Sequence, residues 1–123
     1  MVKHMLVGFD GSEESRHALQ WAHDLAVQTA AKVDVVAVIR PPEIGADVET
    51  EALIHNMRKQ YRKLLSDAVA EIHPDAEAHV FVGHPAERLL RYAEDHEIDH
   101  IVVGLRRFRA RRSRRRSPAG RPR

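Results

Sequence analysis

Residues 4–22 read His-Met-Leu-Val-Gly-Phe-Asp-Gly-Ser-Glu-Glu-Ser-Arg-His-Ala-Leu-Gln-Trp-Ala. The run from His4 to Phe9 is short, largely apolar and ended by Asp10-Gly11-Ser12. A continuous apolar run bounded by turn residues predicts a strand buried on both faces. Ser12 followed by Glu13 and Glu14 predicts a helix start: the hydroxyl caps a free amide, and carboxylates suit the positive end of the helix dipole. Ala18, Leu19, Ala22, Leu25 and Ala26 then recur at helical spacing, which carries this helix to about Ala31. A buried strand running straight into an amphipathic helix is the first half of a βαβ unit, and the rest of the chain repeats the alternation.

Val33–Ile39 is rich in β-branched residues and is stopped by Pro41-Pro42. After a loop over 43–47, a long polar helix is expected from about Val48 to Ile72. Its apolar stripe is Leu53, Met57, Tyr61, Leu64, Leu65, Ala68, Val69 and Ile72. His73-Pro74-Asp75 is a turn, Ala78–Val82 a third strand, and Gly83-His84-Pro85 opens a third helix, with Pro85 suited to its first turn. Leu89, Leu90 and Ala93 are read as its inward face. His100–Val103, extended back to Ile98, is a fourth strand ended by Gly104. Trp21 and Tyr61 are read as packing residues. The order β-α-β-α-β-α-β implies an α/β domain with a doubly wound parallel sheet and right-handed crossovers.

Composition narrows the class. A chain of 123 residues is one domain by length. Aromatics make up 5%, so the core must be aliphatic, and the absence of cysteine excludes disulfide scaffolds and thiolate metal sites. No apolar run approaches the ~20 residues that span a bilayer, so a soluble cytoplasmic chain with no membrane partner is expected. Residues 1–103 hold 10 Lys/Arg against all 18 Asp/Glu, a net charge of −8; residues 104–123 hold 10 Arg and no acid. We therefore expect a domain over 1–104 and an Arg-rich tail over 105–123 that cannot bury enough surface to offset its ordering entropy. The nine histidines are scattered, and surface or cap roles fit them better than metal ligation, so no metal site is expected.

In an open parallel sheet, ligands lie beyond the carboxyl ends of the strands, where strand order reverses. The loop Asp10-Gly11-Ser12 stands at that edge, and its amides and helix dipole suit an anion such as phosphate. The same residues also fit a tight turn with Ser12 as a helix cap. Neither G-x-G-x-x-G nor a P-loop is present, nor is a G-x-S-x-G nucleophile motif, and no catalytic residue is assigned.

Three segments carry a family resemblance: 5–22 (Met-Leu-Val-Gly-Phe-Asp-Gly-Ser through Trp-Ala), 82–93 (Val-Gly-His-Pro-Ala-Glu-Arg-Leu-Leu-Arg-Tyr-Ala) and 99–104 (Asp-His-Ile-Val-Val-Gly). In this order and at these separations they resemble the universal stress protein family. The resemblance implies a Rossmann-like, adenine-nucleotide α-hydrolase-like domain, usually a homodimer, one branch of which binds ATP. It implies cofactor contacts from Asp10, Gly11 and Ser12 after the first strand, from Val38 on the second, and from Gly104, with ATP bound alone or with Mg2+. The family's phosphate loop resembles G-x2-G-x9-G-[ST]. Here Gly104 fills the first position, while Arg107, Ser117 and Pro118 stand at the others. The last strand and helix that the family places after this loop have no counterpart in the sequence. The implied function is a stress-response regulator that binds adenine nucleotide and is not an enzyme, weak ATP hydrolysis aside. The alternative is a chain without nucleotide binding: a truncated fragment, or one whose Arg tail binds nucleic acid electrostatically.

Overall fold

The computed structural model describes residues 2–41 and 48–104. The expected loop over 43–47 and the Arg-rich segment over 105–123 lie outside the described residues. Four strands, β1 (His4–Gly8), β2 (Lys32–Ile39), β3 (Glu77–Val82) and β4 (His100–Val102), alternate with three helices, α1 (Glu13–Thr29), α2 (Val48–Ile72) and α3 (Pro85–Asp95). The sheet is wholly parallel, in the order β3-β2-β1-β4. It is a doubly wound α/β layer, as the alternation requires.

β1 lies between β2 and β4, and Met5, Leu6 and Val7 have no exposed surface. The period of two divides the sheet's side chains. Met5, Val7, Val33, Val35, Ala37 and Val102 face α1 and α2, joined by Ala18, Leu19, Ala22, Leu65 and Ala68. Leu6 and Val36 face α3, where Leu89 and Tyr92 cover them. One face thus carries two helices and the other, among the described residues, one.

Several expected boundaries and core positions shift, each for a local reason. α1 ends at Thr29, short of Ala31, because Ala30 takes a left-handed conformation (φ 61°) and closes the last turn by donating to the Ala26 carbonyl. β4 starts at His100 because the Ile98 amide is spent on Ala93 of α3 (2.9 Å) and Glu97 turns at φ 56°. α2 spans ~37 Å against ~26 Å for β2, and its buried residues, Leu65, Ala68 and Val69, all lie in its second half. Its first half overhangs the sheet, so Leu53 is 48% exposed. Leu64, 47% exposed, is turned off the stripe that Leu65 occupies. Leu90 is not an inward residue: it is 58% exposed, because neighbours on a helix stand ~100° apart and Leu89 takes the sheet side. Trp21, at 49% exposure, is only half a packing residue.

Among the described residues, the core holds one charge-bearing residue that the strand pattern does not single out. Asp34 is fully buried on β2, beside Leu6. Its Oδ2 accepts a hydrogen bond from the Tyr92 hydroxyl at 2.7 Å, and His4 Nε2 lies 3.0 Å from the same oxygen. Burial and the bond to Asp34 hold the Tyr92 phenol far above its ordinary value, so it stays a donor. This contact ties α3 to the sheet. Replacing Tyr92 with Phe removes the hydroxyl donor to the buried Asp34 Oδ2, and is expected to cost about 1–3 kcal/mol in urea unfolding with the slope unchanged.

Asp99, just before β4, accepts from the Lys3 amide (2.9 Å) and the His4 amide (3.2 Å), which clasps the start of β1 to the start of β4. The Lys3 amide, then His100, hold its carboxyl below the ordinary 3.8. A depressed folded value stabilises above the ordinary one and is lost as pH falls through it. Asp99→Ala should therefore lower the melting temperature at pH 7, and the gap from the parent should close in melts taken well below pH 3.8.

Candidate functional site at the switch point

The chain leaves β1 in one direction, through β2 to β3, and α3 then returns it to β4 on the other side. Strand order therefore reverses between β1 and β4, the place where diverging loops leave a crevice. A cavity of about 770 Å³ opens there. Gly8, Val36 and Val38 line it from the sheet, Pro85, Ala86 and Leu89 from α3, Ser12 and Glu14 from the start of α1, and Val103 and Gly104 from the end of β4. Most of this surface is aliphatic, with polar groups gathered at the β1–α1 turn.

That turn is built locally. Asp10 Oδ1 accepts from the Ser12 amide at 2.9 Å, and Ser12 Oγ accepts from the Ser15 amide at 3.1 Å, capping α1. Gly11, between them, sits at φ +85°, which a side chain rarely adopts. Partial burial works to raise the Asp10 carboxyl, but hydrogen bonds from the Ser12 hydroxyl and amide outweigh it and hold it below the usual carboxylate range. Asp10 is thus an anion at neutral pH. Of the amides at this turn, those of Ser12 and Ser15 already have internal acceptors. What this side offers is carboxylates and hydroxyls, and among the described residues no Lys or Arg lines the cavity.

The fold brings Asp10, Ser12, Val38 and Gly104 to one cavity. Gly11 stands behind them, where an added Cβ would lie 3.4 Å from Leu64. β2 runs on past the last β1–β2 pair, Gly8 with Val36, so Val38 reaches the cavity with no β1 residue opposite it. Gly104 packs on α1: a Cβ there would stand 3.2 Å from that of Glu14. Arg107, Ser117 and Pro118 lie outside the described residues.

Sequence reasoning missed Gly8, Val36, Leu89 and Val103 as lining. Gly8 left a signal, a glycine inside an apolar strand, which marks close approach of another group. A Cβ on it would meet Leu89 at 3.1 Å and Val103 at 3.2 Å, so its bareness lets α3 and β4 close over the cavity's inner end. Among the described residues no cluster of three or more His, Cys, Asp or Glu is arranged to hold a metal ion. No helix among them is long and apolar enough to cross a membrane.

The universal stress protein family model matches residues 1–120. The chain belongs to the universal stress protein family. It is 29% identical over 119 residues to universal stress protein YxiE of Bacillus subtilis, covering 86% of this chain and 80% of that protein. Among solved structures, a universal stress protein family member from Burkholderia pseudomallei superposes with a TM-score of 0.75 at 28% identity, covering 94% of this chain and 90% of that one. A universal stress protein in complex with cAMP shares the fold at a TM-score of 0.56 and 23% identity, covering 83% of this chain and 75% of that one.

Filling the space at Gly8 tests the cavity's construction. Gly8→Val is expected to destabilise by about 1–3 kcal/mol through overpacking against Leu89 and Val103, read from urea unfolding.

Proposed function

We propose that this universal stress family member binds an adenine nucleotide in the switch-point cavity and acts in the cytoplasm as a stress-response regulator rather than a catalyst. The observation that carries the reading is the gathering of Asp10, Ser12, Val38 and Gly104 on one cavity of nucleotide size at the point where strand order reverses. The relative in complex with cAMP supports the same ligand class.

In this reading the aliphatic surface of Val36, Val38 and Leu89 takes the purine ring, whose transfer from water is favourable. The Asp10 carboxylate, held ionised by Ser12, accepts hydrogen bonds from ribose hydroxyls. Polyphosphate meets two carboxylates, Asp10 and Glu14. ATP therefore enters with Mg2+, whose charge offsets that repulsion.

Thermal melts of the full chain with magnesium-ATP, AMP or cAMP test this. A nucleotide at ~100 times its dissociation constant adds ~2.7 kcal/mol to stability and raises the melting temperature. Asp10→Ala and Val38→Trp should each remove most of that shift. A melt that none of the three nucleotides moves overturns the reading. The segregation of charge, −8 over residues 1–103 against ten arginines beyond, favours a second reading in which the Arg-rich segment binds nucleic acid. That affinity would fall steeply with salt and ignore both cavity variants.

A further inference from the structure

On the sheet face away from α3, two histidines far apart in sequence meet. His23 stands within α1, and His73 follows the last residue of α2. Their Nδ1 atoms are 2.9 Å apart, and their rings lie edge to face with centroids 5.1 Å apart. Both are only part-exposed. We propose that this pair is a two-ligand site for a divalent transition metal of the copper or nickel class, separate from the switch-point cavity.

The geometry selects the metal. Two imidazole nitrogens 2.9 Å apart, each bonded to one ion at about 2.0–2.1 Å, subtend an angle of about 90° at it. That is the angle of cis ligands in a square-planar or tetragonal complex, the preference of Cu2+ and Ni2+. A tetrahedral Zn2+ needs the nitrogens about 3.3 Å apart, so the pair would have to open. Cu2+ also stands highest in the general affinity order.

The backbones that carry the two rings are held in place. His23 lies in the interior of a 17-residue helix. The His73 backbone is held on both sides, its amide donating to Val69 (2.9 Å) and its carbonyl accepting from Ala76 (3.0 Å). Little backbone ordering therefore accompanies binding; the rings turn from facing each other to face the ion. Without metal the two rings share one hydrogen bond, which needs a proton on one Nδ1. In the complex that ring carries its proton on Nε2 instead, so no proton is lost. Among the described residues no third His, Cys, Asp or Glu completes a cluster; water fills the remaining positions, which makes the ion exchangeable. Because the ligands are 50 residues apart, the metal clips α1 to the α2–β3 turn and binds the folded chain alone.

The test is titration of the full chain with Cu2+, Ni2+ and Zn2+ separately. Trp21, the single tryptophan, is two residues from His23, so its fluorescence quenching by Cu2+ reports occupancy without a variant. Saturating Cu2+ or Ni2+ should raise the melting temperature by about 4 °C or more, with Zn2+ weaker. The Cu2+ electron paramagnetic spectrum should show two equivalent nitrogens. His23→Gln and His73→Gln should each abolish the shift and the two-nitrogen signal, while His17→Gln, at an exposed position of the same helix, keeps both. A shift that survives either Gln variant, a Cu2+ spectrum without two nitrogens, or no quenching of Trp21 overturns the proposal. In those cases the pair is a hydrogen-bonded clip alone. A Zn2+ effect equal to that of Cu2+ overturns the choice of metal class.

Discussion

The structure depends on β1 being enclosed on every side. Its backbone pairs with β2 along one edge and with β4 along the other, and helices cover both of its faces. Met5, Leu6 and Val7 consequently lose all contact with water. Full burial of such side chains is worth about 1.5–3 kcal/mol each, enough to favour this strand at the centre over any arrangement that leaves it at an edge. Once β1 is central, β2 and β4 must leave it in opposite directions, and the loops at its carboxyl end must part. The cavity follows from that placement.

The two faces of the sheet then play different parts. On one, α1 and α2 bring alanines close to the strands, and Ala18, Ala22, Ala26 and Ala68 seal a dense aliphatic layer. On the other, α3 rests over Leu6 and Val36 and is tied down by the Tyr92–Asp34 hydrogen bond. Its first turns, Pro85 to Leu89, form the cavity wall. A buried carboxylate is costly unless its oxygens find partners, so α3 must keep its place for Asp34 to be accommodated. The polar contact at the amino end of the strands thus helps position an apolar wall at the carboxyl end.

Side-chain chemistry at the mouth is set by a smaller circuit. Asp10, Ser12 and Ser15 satisfy one another through backbone and hydroxyl groups, and the Asp10 carboxylate gives the turn a negative charge. Gly8 and Gly104 act by absence: each leaves room where another element comes close, Leu89 and Val103 on one side and Glu14 on the other.

Element order and class were legible in the sequence, because periodicity and turn chemistry act over a few residues at a time; Val38 was picked out by the family resemblance alone. The run from His4 to Phe9, the acids after Ser12 and Pro85 at a helix start each carry their own local reason. What the sequence could not reveal is what meets across the fold. Asp34 reads as an ordinary polar residue in a strand until Tyr92 and His4, 58 and 30 positions away, converge on it. Leu89 and Leu90 read alike until the sheet takes one and solvent the other. His23 and His73 are two scattered histidines until α1 and α2 bring them together. The sequence alone determined the alternation of strands and helices, since burial patterns along one element need no partner to be recognised. Only the tertiary structure decided which side chains share a cavity, a buried hydrogen bond or a pair of nitrogens, because those contacts depend on strand order and helix packing, which join residues that the chain itself keeps far apart.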